Sequence, residues 1–335
     1  MIQIGKTKYI NSAGKLSRRD DSILFRKGDK NIYIPVENTK EIFCLGEVEL
    51  NSSFLSFMSQ SSITIHFFNY YGYYAGTFYP KEYLLSGKVS VKQVEAFNSY
   101  RLPIAKAVVN GIRENIIVVL EHYYRHGKKD LKENLDYLRA TAKENIEKSY
   151  DIKSLLNAEG NIWHEFYSTF NKILPDDFIF NKRVKRPPDN PINAMISFGN
   201  SILYAKTVTA IYHTHLNQSV SFLHEPSEGR FSLSLDISEV FKPIIVFKTI
   251  FELVNNKKIK VEKHFEKKLN YCILNEEGRA IFVDALEKRL ESKREHPRLK
   301  RKVSMNTLIK LDGYKLLKTV LEGKEFIPYN YKAGV

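Results

Sequence analysis

The stretch Ser219–Pro243, SVSFLHEPSEGRFSLSLDISEVFKP, gathers residue types that can do chemistry. His224 follows a short apolar run. A charged turn, EPSEGR, comes next, and Asp236 and Glu239 close the stretch three residues apart in an otherwise apolar segment. In a helix, positions i and i+3 share a face. Two carboxylates on one face repel each other unless a cation or hydrogen-bond donors lie between them. An imidazole nearby makes a divalent metal the natural cation. Taken singly, His224 reads as a satisfied structural histidine and Asp236 as a helix N-cap.

Glu159 is a further acidic candidate. It stands in NAEGNIW and is followed by Gly160 inside an apolar helical pattern. Glycine in a helix interior costs about 1 kcal/mol against alanine, and it lets a backbone or ligand approach closely. The plain reading is a solvated glutamate near a helix start. Carboxylates with one imidazole suit Mn²⁺ or Mg²⁺ better than a thiolate site would. Spacing alone does not bring Glu159 to the other residues.

Other histidines and aromatics carry less. His122 and His126 are four apart near a helix end, where a C-terminal position favours them without any metal. His213 and His215 point to different helix faces. Tyr70, Tyr71, Tyr73 and Tyr74 flank a glycine and can stack bases or pack at a hairpin or subunit contact. No glycine pattern of the P-loop or dinucleotide type is present, so those nucleotide enzymes have no support.

Charge points to a polyanion. Lys+Arg exceed Asp+Glu by 52 to 38, a net +14, and such a surplus favours phosphate partners through counterion release. Residues 256–302 hold 15 basic and 8 acidic residues, so +7 sits there. Two basic runs suit backbone contacts: Lys182, Arg183, Lys185 and Arg186 in a proline-bounded loop, and Arg298, Lys300, Arg301 and Lys302 after His296-Pro297. Solvated charge clusters are the alternative reading. Of the 335 residues, 43% are hydrophobic, ample for a core. No run approaches the roughly 18 apolar residues of a membrane span, and MIQIGKTKYI lacks the apolar core of an export signal. Cys44 and Cys272, far apart in apolar contexts, read as buried free thiols in a reducing cytoplasm.

The expected fold is α+β, with a β-rich domain over residues 1–80 and a larger all-helical domain over 81–335. Short runs at 6–10, 23–26, 32–36, 41–45 and 63–68 are rich in Ile, Phe, Tyr and Val. Turn residues at 12–14, 27–30 and 69–76 separate them. Residues 52–59 read as one helix within this region. After Pro80 the apolar period lengthens. One helix, or two divided at Pro103, is expected over 91–125, and further helices over 130–148, 152–173, 193–215, 239–254, 277–295 and 304–321. The segment at 193–215 is apolar nearly all round and reads as buried. The tail IPYNYKAGV reads as frayed.

Several segments together resemble the CRISPR-associated adaptation integrase, the Cas-one endonuclease family. They are YINSAGKLSRRDDSILF, IHFFNYYGYYAGTFYP, AEGNIWHEFY, RPPDNPINAMISFGNSILY and FLHEPSEGRFSLSLDISEVFKP, and they run nearly end to end. The resemblance implies a β-rich N-terminal domain that forms a homodimer and a helical catalytic domain. It places the family's metal ligands on Glu159, His224 and Glu239, with Asp236 in support, and basic residues facing DNA on Arg230 and Lys242. Asp312, in LIKLDGYKL, stands where the family pattern has glutamate. The implied activity is insertion of short foreign DNA fragments into a CRISPR repeat array by attack of a 3′-hydroxyl on a phosphodiester, needing Mn²⁺ or Mg²⁺ but no ATP. Implied partners are double-stranded DNA with single-stranded ends, repeat DNA and the small Cas-two adaptation protein; no membrane is involved. Without the resemblance, a non-catalytic nucleic-acid-binding scaffold with structural acids and histidine, or a general metal-dependent nuclease, accounts for the same residues.

Overall fold

The computed structural model describes residues 6–82 and 84–334. They fall into two compact units, Met1–Tyr83 and Leu84–Val335. The first unit is β-rich. Its elements are β1 (Lys6–Ile10), β2 (Gly14–Arg19), β3 (Ser22–Lys27), β4 (Lys30–Pro35), β5 (Thr39–Cys44), β6 (Val48–Glu49), α1 (Ser52–Gln60), β7 (Thr64–Phe68) and β8 (Tyr74–Phe78). One four-stranded sheet has the order β1-β5-β7-β8, the other β4-β3-β2-β6. β1, β5 and β7 run parallel, and β8 returns antiparallel to β7. Leu16, Ile23, Phe25, Ile42, Phe54, Met58 and Ile65 form the core of this unit. Asn51 caps α1 by accepting from the Phe54 amide, as its residue type favours.

β2 was not expected. Leu16 is its one fully buried side chain, so GKLSRR carries little apolar alternation. Its place comes from pairing with β3, through a tight turn with positive φ at Asp20.

The second unit is mostly helical. Its helices are α2 (Gly87–Arg125), α3 (Lys132–Arg139), α4 (Thr141–Lys148), α5 (Ile152–Ser168), α6 (Phe170–Ile173), α7 (Pro191–Tyr212), α8 (Ser232–Lys242), α9 (Lys248–Asn255), α10 (Val261–His264), α11 (Glu276–Glu291) and α12 (Met305–Glu322). Two short hairpins interrupt the expected all-helical run: β9 (Phe265–Lys268) with β10 (Tyr271–Leu274), and β11 (Lys293–His296) with β12 (Arg301–Ser304). The second hairpin takes residues 293–295 out of the helix expected over 277–295. α2 continues through Pro103 but kinks at Tyr100, where φ is −129° and ψ 15°. A proline ring presses on the preceding turn and offers no amide. The helix expected over 130–148 breaks at Ala140, with no glycine or proline to mark it. Among the described residues no helix is long and apolar enough to cross a membrane.

One helical run does the most positioning. α8 passes at Pro243 into a π-helical turn, Pro243–Phe247, and then into α9. A proline inside a helix crowds the carbonyl four residues back, here that of Glu239, and the widened turn relieves the crowding. The neighbouring Val240 carbonyl accepts instead from the buried Asn115 side chain of α2, at 2.9 Å. α7 lies close on the other partner of this turn. A Cβ on Gly199 would stand 2.6 Å from Val246 and 2.9 Å from Phe282, so only glycine permits the approach.

The tail is not frayed. Tyr329 is fully buried and stacks on Phe241 of α8, with ring centroids 5.4 Å apart. Asp312 accepts from the Tyr329 amide at 2.7 Å, and Asn115 accepts from the Tyr331 amide at 2.9 Å. Burial of Tyr329 outweighs the polar, glycine-containing end that suggested fraying.

Candidate active site

Three segments build the site. α5 carries Glu159, the loop after α7 carries His224, and α8 carries Asp236 and Glu239. α5 starts at a capping box in which Asp151 and Ser154 serve each other's amides. Its buried side, Leu155, Ala158, Ile162 and Phe166, sets the helix rotation. Glu159 is thereby half-buried, while Gly160 has no neighbour within 4 Å of a built Cβ. Gly160 therefore leaves open space beside Glu159 rather than admitting another protein segment.

The two acids of α8 have separate tasks. Asp236 is 2% exposed and faces the loop. Its Oδ2 accepts from the Phe222 and Leu223 amides at 2.7 and 2.8 Å, and its Oδ1 accepts from the His224 amide at 3.0 Å and from His224 Nδ1 at 2.8 Å. One carboxylate thus shapes the loop and fixes the imidazole. With Nδ1 donating to Asp236, the Nε2 atom faces away and forms no hydrogen bond among the described residues. Glu239 pairs with Lys242 one turn on. The mutual repulsion expected from spacing is relieved by a donor set on one acid and a lysine on the other.

Electrostatics tie Glu159, His224 and Glu239 together. Burial first, and then the charge of Glu239, hold the Glu159 carboxyl above its ordinary pKa; Trp163, His224 and Lys242 pull the other way. Burial lowers the His224 imidazole, but the hydrogen bond and charge of Asp236, with Glu239 and Glu159, outweigh it and leave the pKa raised. Two acids in a half-buried place with one imidazole are a hard, oxygen-rich donor set. Among the described residues no three His, Cys, Asp or Glu side chains already close on a common point, and Lys242 occupies Glu239.

Several supporting residues were not singled out from the sequence. Trp163, the chain's one tryptophan, donates from Nε1 to Glu159 at 2.7 Å; its i+4 spacing from Glu159 was the available signal. Tyr167 stacks on Trp163 at 5.9 Å. Burial raises its phenol pKa, and it lies in the fields of Arg183, Glu239 and Glu159. Arg101 of α2 holds the histidine loop, donating to the Phe222 carbonyl at 2.9 Å and pairing with Glu225 at 2.6 Å.

The basic residues divide. Arg183 turns inward, donating to Asn193 and Ser197 of α7, each at 3.0 Å. It clips its loop to α7 beside Tyr167. Lys182, Lys185 and Arg186 in the same loop are exposed, as are Arg230 before α8 and Arg298 and Arg301 around the β11–β12 turn. Lys242 is mostly buried and joined to Glu239.

A family model described as "CRISPR associated protein Cas1" matches residues 8–288. The chain belongs to the CRISPR-associated Cas1 family. It is 43% identical over 327 residues to "CRISPR-associated endonuclease Cas1 2" of Thermodesulfovibrio yellowstonii, covering 97% of this chain and 98% of the relative. A solved Cas1 protein from Thermotoga maritima superposes with a TM-score of 0.87 at 39% identity, over 96% of this chain and 98% of that one. At the level of fold alone, two chains at 20% identity also match: a casposase bound to integration product, with a TM-score of 0.84 over 98% of this chain and 95% of that one, and a Cas6-RT-Cas1–Cas2 complex, with 0.85 over 99% and 36%.

Proposed function

We propose that this Cas1 protein is a metal-dependent DNA endonuclease and integrase that inserts short DNA fragments into a CRISPR repeat array. The observation that carries the reading is the meeting of Glu159, His224 and Glu239, from three separate segments, in one electrostatic neighbourhood. The donor chemistry fits Mn²⁺ or Mg²⁺, held by the Glu159 and Glu239 carboxylates and by His224 Nε2. When bound, the cation offsets charge on the reacting phosphate and lowers the pKa of an attacking hydroxyl.

The chain's own residues prepare that chemistry. Asp236 keeps the proton on His224 Nδ1 and so leaves the Nε2 lone pair available. Trp163 holds Glu159 in one orientation by its indole hydrogen bond. Lys242 compensates Glu239 until the carboxylate is needed as a ligand, and its ammonium is then free to meet a DNA phosphate. A 3′-hydroxyl attacks the phosphorus, the existing ester bond breaks, and its oxygen leaves as a new 3′-hydroxyl. One phosphodiester is exchanged for another, so no nucleotide hydrolysis is required. With water as the nucleophile the same groups cleave the strand.

Exposed Lys182, Lys185, Arg186, Arg230, Arg298 and Arg301 are assigned to the duplex, its single-stranded ends and the repeat DNA, through the backbone. Homodimerisation through the β-rich unit and a Cas2 partner complete the proposal; the Cas6-RT-Cas1–Cas2 neighbour supports the latter.

The test is strand joining on a repeat-containing plasmid with Mn²⁺, scored against simple cleavage. Glu159→Ala, His224→Ala and Glu239→Ala are each expected to abolish joining while the fold persists. Full activity in any one removes that residue from the site. A Mn²⁺-induced rise in unfolding temperature that Glu159→Ala abolishes supports the enzyme over a non-catalytic scaffold; no response in either protein reverses that choice.

A further inference from the structure

The C-terminal end of α2 carries charges that the site above does not use. A cleft of about 420 Å³ opens there between the last turns of α2, Lys248 at the head of α9, Arg294 on β11 and the pinned tail at Tyr331 and Lys332. His122, Arg125 and His126 line the α2 side, and Glu121 is the one acid among the lining residues. Glu121 is already taken. It accepts from Arg125 at 2.9 Å and from Arg139 at 2.8 Å, and Lys332 lies 3.9 Å away.

No lining carboxylate remains for Lys248 or Arg294. Lys248 Nζ reaches the Tyr331 hydroxyl at 3.4 Å. Arg294 Cζ lies over the Tyr331 ring, 3.5 Å from its centroid, and its Nη1 is buried with no hydrogen-bond partner. An aromatic face attracts a guanidinium, but it does not satisfy the N–H groups, which lie in the guanidinium plane. A buried donor left unmade carries the full cost of its lost hydration. His122 reports the same surplus of charge: burial first, then His126, Lys248 and Arg125, push its imidazole below the ordinary value. Cations arrive from α2, α9, β11 and the tail, so the matching ligand offers oxygens in several directions. A tetrahedral phosphoryl group does so; a planar carboxylate does not.

We propose that this cleft is a phosphate-binding site built by Lys248, Arg294 and Lys332, with His122 and His126 as further donors, and that its occupant is a phosphate of DNA. Lys248 follows Glu239 by nine residues on one helical run. Nine residues are about two and a half α-helical turns, so Lys248 does not share the face of Glu239, and the case for a DNA phosphate is the surplus of basic charge, +14 over the chain. The DNA source rests on the proposed function; the phosphate site does not.

Isothermal titration of the full chain with inorganic phosphate, against chloride at matched ionic strength, tests the site. One phosphate per chain is expected, with at least a tenfold loss of affinity in the double variant Lys248→Gln, Arg294→Gln. Lys332→Gln, at an exposed side chain outside the ring stack, should weaken binding several-fold and separates site loss from loosening of the tail. Absence of a phosphate-specific signal, or unchanged affinity in both variants, overturns the site. Hydroxyl-ended and 5′-phosphorylated duplexes then identify the source. Equal loss for both in the double variant assigns an internal phosphodiester, and loss for the phosphorylated duplex alone assigns a terminal phosphate. Loss for inorganic phosphate alone overturns the DNA occupant. Glu159→Ala should bind inorganic phosphate as the parent does, so failure of the joining chemistry is distinguishable from failure of this site.

Discussion

Each unit buries a histidine near an acidic residue, and the two pairs are wired in opposite ways. In the β-rich unit His66 is 0% exposed, packed 4.7 Å from the Phe43 ring. Its Nδ1 lies 2.7 Å from Thr77 Oγ1, and its Nε2 lies 3.4 Å from Thr64 Oγ1 and 3.7 Å from Glu41. Both ring nitrogens are spent on the sheet, and Thr7 donates to Glu41 at 2.7 Å. In the helical unit His224 spends Nδ1 on Asp236, keeps its side chain 22% exposed, and leaves Nε2 without a hydrogen bond among the described residues, in the field of Glu239 and Glu159. The residue types are the same. One arrangement is closed and serves the fold, whereas the other leaves one ring nitrogen without a hydrogen bond and one unsettled charge. An acid–histidine pair becomes a candidate site through the nitrogen it leaves over, not through its composition.

The sharpest way to break this contrast is to remove each histidine. His224→Ala should reduce strand joining to background with little change in the unfolding midpoint. His66→Ala should cost about 2 kcal/mol, as expected when a buried hydrogen-bonded group is lost, and should reduce joining only in proportion to unfolded protein. Denaturant unfolding and the joining assay on both variants decide it. Equal loss of stability in the two would erase the distinction.

Asp236→Asn probes the wiring itself. The amide keeps the size but loses the charge and one acceptor, so Nδ1 of His224 is less firmly held. A supporting residue of this kind is expected to cost about 10–100-fold in metal affinity or activity, less than loss of a ligand. Manganese titration followed by joining at saturating metal separates the two effects. A loss as deep as that of Glu239→Ala would make Asp236 a ligand.

Glu159→Gln tests the unsettled charge. The folded-state pKa of Glu159 is raised, so its contribution to stability is greatest when protonated and is lost as pH rises through that pKa. At neutral pH the ionised carboxylate is therefore a burden on the metal-free protein. The neutral amide should raise the unfolding midpoint of metal-free protein at pH 7, abolish joining, and leave little difference at pH 4. A lower midpoint at pH 7 would show that the indole hydrogen bond of Trp163 outweighs burial and Glu239.

Much of this organisation was legible in the residues, for identifiable reasons. The buried α7 showed as a segment apolar nearly all round, and the shared face of Asp236 and Glu239 follows from helical spacing. The resemblance supplied Glu159 and ranked Glu239 above Asp236. What escaped depends on partners distant in sequence. β2 exists through β3, and the β11–β12 hairpin hides in a run of charges because its stability comes from pairing. Arg183 sits in a basic run, yet Asn193 and Ser197 draw it inward, so charge alone misassigned its surroundings. The Ala140 break has no local cause that composition can show.

The tail is the clearest such case, and it gives the smallest predicted effect. Asn115 donates to the carbonyls of Val240 and Tyr329 and accepts from the Tyr331 amide. One amide thus ties α2 to the helix bearing Glu239 and to the last residues of the chain. Asn115→Ala leaves the Val240 and Tyr329 carbonyls without these donors, at about 1–3 kcal/mol. Because Val240 is adjacent to Glu239, a looser Val240 should show as a modest rise in the manganese needed for joining, with the maximal rate nearly kept. Tyr329 should meanwhile become accessible to proteolysis near the C-terminus. If cleavage increases but the manganese requirement is unchanged, Asn115 serves the tail alone, and the π turn at Pro243 holds Glu239 without it.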